Sequence, residues 1–188
     1  MIKKNILFTL FAFGALSCST KEQYIIKLSP QNYKNTQQST KIIANKLAIN
    51  SLKLPSYLLR YPIAKQISAT QIIYLDTHRW AESLDKALKR ELIAYLQHNA
   101  FHYEVVEYPW GTLPNITVDI TLNDFIASQK IVTLHATVKT YNRKDNHSHI
   151  YNISKEENFS GEDKDIAQAM NQIFKKFSIE VHNLLTKK

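Results

Sequence analysis

Two histidines one residue apart, His147-Ser148-His149, are the densest set of metal-ligating side chains in the 188-residue sequence. Alternate positions on an extended chain share a face, so the two imidazoles could converge. Zinc needs three or four converging ligands, however, and no further ligand stands at a suitable spacing around this Asn-, Asp- and Lys-rich stretch. The pair therefore reads as a surface turn. His78, His98, His102, His135 and His182 are scattered singly. A sole cysteine, Cys18, leaves no intramolecular disulfide and no multi-cysteine zinc site. The three glycines, Gly14, Gly111 and Gly161, are too far apart to form a phosphate-cradling loop, a dinucleotide fingerprint or a Gly-x-Ser-x-Gly nucleophile elbow. The carboxylate pairs Glu156–Glu157 and Glu162–Asp163 precede a predicted helix, where negative charge complements the helix N-terminus. These patterns point to a protein that is not an enzyme and carries no cofactor and no metal.

Cys18 has a different chemistry available, set by what precedes it. Lys3 and Lys4 form a short positive region, Ile6–Leu16 is apolar, and Ala15 and Ser17 are small. That layout is a secretory signal. The apolar run is too short to span a bilayer, which takes about 20 residues. A cysteine directly after such a run resembles a bacterial lipobox, in which the thiol is acylated and becomes the first mature residue. Leu16 lies one place later than the usual leucine of that pattern. Ser19, in place of Asp, resembles the signal for onward transport to the outer membrane. The expected organisation is a signal peptide at 1–17, an anchor with a short strand and polar linker at 18–41, and one domain at 42–188.

The elements of that domain follow from hydrophobic period. With 44% hydrophobic and 21% charged residues, the chain can bury a core. Tyr24–Leu28 reads as a short strand and Ser29–Lys41 as a loop. Ile42–Leu54 alternates like a strand until Pro55, and Ile72–Leu75 is a buried strand. Asp76 or Thr77 is expected to cap a helix with Trp80, Leu84, Ala87, Leu88, Leu92, Tyr95 and Leu96 on one face, supported by Glu82–Lys86 and Asp85–Lys89 pairs. Tyr103–Tyr108 is a strand, so strand, helix and strand together read as a right-handed crossover. Ile116–Leu122, Val132–Val138 and His149–Ser154 alternate as a meander, with a turn at Asn142–Ser148. A long helix from about Asp163 presents Ile166, Met170, Ile173, Phe174, Phe177 and Val181 on one side. The fold class is α+β: a mixed β-sheet with a strand-helix-strand unit, an antiparallel meander and a long C-terminal helix packed on the sheet.

Charge is placed unevenly. The formal net charge is +8, yet Gln23–Leu75 contains no Asp or Glu and seven basic residues: Lys27, Lys34, Lys41, Lys46, Lys53, Arg60 and Lys65. From Asp76 onward 14 basic residues meet 15 acidic ones. Only four of the 24 basic residues are arginine, and an exported lipoprotein meets no chromosome, so nucleic acid is not an expected partner. Anionic headgroups near the anchor or an acidic rim on a partner protein would suit the basic segment, and so would plain solvation.

Aromatic clusters stand at the element boundaries: Leu54-Pro55-Ser56-Tyr57-Leu58, Arg79-Trp80-Ala81-Glu82 and Tyr108-Pro109-Trp110. Such residues serve as core plugs or as interface anchors. With Cys18, the Tyr24–Leu28 strand and Ile72-Ile73-Tyr74, these clusters resemble the ABC-type transport auxiliary lipoproteins, the PqiC (YmbA) family. The resemblance is best from about Leu47 to Trp110, and Arg79-Trp80-Ala81-Glu82-Ser83-Leu84 is its most specific part. It implies a lipid-anchored outer-membrane protein facing the periplasm that works with an ABC transporter and an MCE-domain protein. In that system the MCE protein forms a tube across the periplasm, and the lipoprotein docks at its outer-membrane end as a ring, a homo-oligomer. The process implied is lipid movement between membranes. Cys18 is the expected lipidation site, and Tyr57, Arg79, Trp80 and Trp110 are the expected partner-binding residues. The alternative is a structural or assembly lipoprotein of the envelope acting without a transporter.

Overall fold

The computed structural model describes residues 22–28, 45–100, 102–107 and 113–186. Eight strands form one sheet: β1 (Tyr24–Ile26), β2 (Lys46–Lys53), β3 (Pro62–Ser68), β4 (Gln71–Trp80), β5 (Glu104–Glu107), β6 (Ile116–Ser128), β7 (Ile131–Asn142) and β8 (His147–Asn158). Two helices complete the domain, α1 (Leu84–Asn99) and α2 (Asp163–Thr186). The α+β class read from the sequence is the one observed.

The long strand β6 organises the sheet. One of its edges pairs with β7 along the whole length, from Ile116↔Asn142 to Ser128↔Ile131. A strand has only two edges, so β2 and β3 share the other. β2 runs parallel to the first half, Leu47↔Ile116 to Lys53↔Thr121, and β3 runs parallel to the end, Lys65↔Ala127 and Gln66↔Ser128. Two branches result. β5 extends the sheet from β2, while β4 and then β1 extend it from β3. The alternation Val118, Ile120 and Leu122 in β6 and Val132, Leu134, Ala136 and Val138 in β7 supplies buried side chains, which is what a half-covered antiparallel sheet requires. Ile166, Met170, Ile173, Phe174, Phe177 and Val181 of α2 are buried in the same core.

Several local expectations change. β4 runs through Asp76 and Thr77 to Trp80, so neither Asp76 nor Thr77 caps a helix and Trp80 is a strand residue. The helix begins only at Leu84, with Ser83 at the cap position. Helical spacing of apolar residues before residue 84 misled because Leu75, His78 and Trp80 are buried in a bulged strand: Ala64 pairs with Tyr74 but Pro62 with Arg79, so β4 carries three extra residues. Glu82 lies outside the helix and takes the Arg90 guanidinium instead of Lys86, while Lys89 pairs with Glu107 at 2.8 Å. The strand-helix-strand stretch exists, but β4 and β5 lie on different branches and run antiparallel, so it is not a single crossover. β3 was not expected as a strand. β8 begins at His147, two residues before the expected start at His149, so His147 and Ser148 belong to the strand and not to the turn before it.

The lopsided charge is also redistributed by folding. Lys46 faces Glu104 at 3.6 Å and Lys65 faces Asp163 at 2.7 Å, each acid coming from beyond the acid-free segment. Lys34 and Lys41 lie outside the described residues. Gly161 precedes α2 with φ +96°, a conformation that L side chains rarely adopt, and a Cβ there would meet Lys130 Cγ at 3.2 Å. Ser160 then hydrogen-bonds Asp165 and accepts from the Glu162 amide, closing the helix N-terminus.

Glu91 is the buried acid of α1, only 8% exposed, and its Oε2 has no hydrogen-bond partner. Burial raises its carboxyl above the ordinary value of 4.5, against the opposing pull of Arg90. Because the folded state holds the proton more tightly than the unfolded chain, the penalty is absent below the unfolded value and grows as pH rises through the raised folded one. Glu91→Gln is therefore expected to stabilise the domain by up to about 1 kcal/mol at neutral pH. Denaturant titrations at pH 7 and pH 4 check this, since the gain should vanish at the lower pH.

Candidate docking surface

The Leu54–Leu58 segment turns the chain from β2 into β3. Pro55 cannot continue the ladder, and Ser56–Leu59 forms a single 3-10 turn with the Leu58 amide donating to Pro55 O at 3.0 Å. Leu58 plugs the core, while Leu59, Arg60 and Tyr61 are exposed. Tyr57 is held from two sides. Its hydroxyl donates to Asp124 Oδ1 at 2.7 Å, and its carbonyl accepts from the Tyr74 hydroxyl at 3.2 Å. Asp124 reaches it because β6 carries one extra residue between Leu122 and Asp124, which re-aims the following side chains. Burial first, and then the carboxylate, pushes the Tyr57 phenol above its ordinary range. It stays a donor at any physiological pH. Arg60 lies over the Tyr74 ring at 4.9 Å, a cation–π contact that ties the turn to β4. Tyr57→Phe leaves the part-buried Asp124 carboxylate without this donor, and a loss of about 1.5–3 kcal/mol in thermal or denaturant unfolding is expected.

The second part of the surface is the junction of β1 with the end of β4. The register Tyr24↔His78, Ile25↔Arg79 and Ile26↔Trp80 fixes which side chains share a face. His78 and Trp80 are buried, and Tyr24 stacks on the His78 ring with centroids 5.1 Å apart. Ile25 and Arg79 stand on the opposite, outer face, Ile25 with 75% exposure. The Trp80 amide donates to Tyr61 O and the Ala81 amide to Ile26 O, which locks β1 and the 3-10 turn to the same strand end. Ile25 and Arg79 form an outward apolar and cationic pair, and the exposed Leu59, Arg60 and Tyr61 of the adjoining turn stand beside the same strand end. Apolar anchors ringed by arginine are the composition of a protein-binding patch.

Of the residues expected to bind a partner, the fold brings Tyr57, Arg79 and Trp80 to this one region, and only Arg79 offers its side chain freely. Trp80 is 5% exposed. Its indole is packed in the core, so its part in docking is proposed to be the positioning of Arg79 beside it. Cys18 and Trp110 lie outside the described residues. Sequence reasoning missed Ile25, Leu59 and Tyr61. The alternation in Tyr24–Leu28 was the available signal for Ile25, because successive strand residues point to opposite faces.

Elsewhere, Asn50, Leu113, Pro114, Thr117, Tyr141 and Arg143 line a concavity of about 310 Å3 at the start of β6. His147 Nδ1 lies 2.7 Å from Asp145 O, and the His149 ring stacks on Tyr151. Among the described residues, no three His, Cys, Asp or Glu side chains are grouped to hold a metal ion.

The family model described as the ABC-type transport auxiliary lipoprotein component matches residues 27–181. A crystal structure of an uncharacterized protein superposes with a TM-score of 0.73 at 16% identity, covering 88% of this chain and 100% of that one. The crystal structure of a Xanthomonas campestris protein of family DUF330 gives 0.61 at 12% identity, covering 73% of this chain and 81% of that one. At such identities these two structures show a shared fold. No curated protein matches the sequence.

Proposed function

We propose, because the chain belongs to the ABC-type transport auxiliary lipoprotein family, that it is a non-enzymatic outer-membrane lipoprotein which docks the periplasm-spanning MCE component of a lipid-transport system. The signal at 1–17 is removed, Cys18 carries the acyl chains, and the folded domain hangs from them on the periplasmic face. Two or three acyl chains hold a protein stably on a membrane where one does not. The family assigns the chain an auxiliary role, so ATP hydrolysis falls to a separate subunit.

The observation that carries the docking reading is the outward set Ile25, Leu59, Arg60, Tyr61 and Arg79. It is built on β1, whose first residue lies six positions after Cys18, so the surface is tethered close to the membrane. The arginines suit an acidic rim on the tube, and the apolar members supply burial at its centre. Copies of the chain are expected to assemble around the tube, and Trp110 is proposed as a further contact.

The test is affinity capture of the acylated protein from detergent-extracted membranes. Recovery of an MCE-domain protein and ABC subunits is expected, and Arg79→Glu should lower it at least tenfold without changing the melting temperature. Capture of neither component would instead favour an envelope lipoprotein that acts without a transporter.

A further inference from the structure

The β3–β4 hairpin projects past its neighbour. Lys65 and Gln66 of β3 pair with Ala127 and Ser128, the last residues of β6, so from Ile67 to the turn β3 has no strand paired on that edge. The stretch Gln66–Ile73 has no charged residue. Three isoleucines in it are exposed: Ile67 at 53%, Ile72 at 38% and Ile73 at 42%. The β7–β8 turn at the opposite end of the sheet carries Arg143, Lys144 and Asp145, the polar composition usual for a solvated hairpin. An uncharged, isoleucine-bearing tip on a protruding hairpin calls for an apolar neighbour.

The path of the N-terminal chain says which neighbour. β1 is parallel to β4, and β4 begins at the tip, so the residues before Tyr24 leave toward the tip side. Tyr24 sits at the level of His78, and Arg79 pairs with Pro62 at the start of β3. From Pro62 to Ser68 is six residues, about 20 Å along a strand. Cys18 is likewise six residues before Tyr24, a covalent reach of up to about 20 Å. The acyl-bearing sulfur and the three isoleucines can therefore lie in one plane.

We propose that the β3–β4 tip is a second membrane contact, with Ile67, Ile72 and Ile73 entering the headgroup region of the leaflet that holds the Cys18 acyl chains. The surface it enters is zwitterionic. The stretch Gln66–Ile73 offers no cation, and Lys65 beside it is already paired to Asp163 at the start of α2. The contact fixes the orientation of the domain: the tip meets the membrane, and the start of β6 points away from it. The inference rests on the proposed acylation of Cys18.

Because Cys18 is the only cysteine, a thiol introduced into the acylated full chain can be labelled alone. Ile72→Cys and, at the far end of the sheet, Ser148→Cys carry an environment-sensitive fluorophore in vesicles of phosphatidylcholine and phosphatidylethanolamine containing a nitroxide lipid. Quenching at position 72 should exceed that at 148 at least threefold and persist at high salt. Equal quenching at the two positions, with the acyl mass confirmed on the same sample, overturns the tip contact while leaving the anchor intact. A missing acyl mass overturns both. A position-72 label that is already shielded without vesicles in concentrated protein shows a second copy on the tip and also overturns the membrane contact.

Discussion

Cys18→Ala, produced behind a leader that is cleaved without acylation, is expected to shift the protein from the membrane fraction to the soluble periplasm almost completely. Each buried methylene of an acyl chain contributes about 0.8 kcal/mol, so two or three chains dominate every other membrane contact on the molecule. Among the described residues no helix is long and apolar enough to cross a membrane. The hairpin tip offers three isoleucine side chains, far less apolar area than the acyl chains. Fractionation followed by immunodetection reads the result. A variant that stays with membranes at the wild-type level would mean that Cys18 is not the anchor or that protein partners alone hold it.

Phe177→Ala is expected to destabilise the domain by about 3–5 kcal/mol, a large share of the stability a domain possesses. Phe177 is fully buried on α2, its ring centroid 5.6 Å from that of Phe174, which in turn lies 6.4 Å from Phe125 of β6. This run of rings joins the long helix to the central strand. Removing the Phe177 ring leaves a cavity that the rigid β6–β7–β8 ladder cannot collapse to fill. The melting temperature should fall by roughly 10 °C, at about 2–4 °C per kcal/mol for a chain of this size. Ile179→Ala, on the exposed side of the same helix, should change it little.

The C-terminal half was legible because its periods are clean. Ile116–Leu122 and Val132–Val138 alternate strictly, and α2 keeps its apolar residues on one stripe, so local pattern and tertiary burial agree. The region from Pro62 to Ser83 was not. There β4 carries a three-residue bulge between Tyr74 and Arg79, which breaks the period of two and brings Leu75, His78 and Trp80 inside at a spacing that imitates a helix turn. The exposed isoleucines of the β3–β4 tip concealed β3 in the same way, since no inward and outward alternation is kept beyond the last row paired to β6.

The proposed docking surface was partly legible for a related reason. The clusters around Tyr57 and Arg79-Trp80 mark the region where docking is proposed, because aromatic residues at element ends either plug or anchor. Which of the two each residue does depends on strand register. Register sends Trp80 inward and Arg79 outward, and it raises Ile25, an unremarked residue in a three-residue strand, to the most exposed of the large apolar side chains among the described residues. Charge was misleading along the chain, since Lys46 and Lys65 find Glu104 and Asp163 only after folding.

Photo-crosslinking from Ile25 in intact cells tests the docking role most directly. With a photoreactive amino acid in place of Ile25, the predicted product is a covalent adduct to an MCE-domain protein, lost when Arg79→Glu is added. Adducts only to other outer-membrane proteins, or none while the protein remains folded and membrane-bound, would contradict a role in docking the tube.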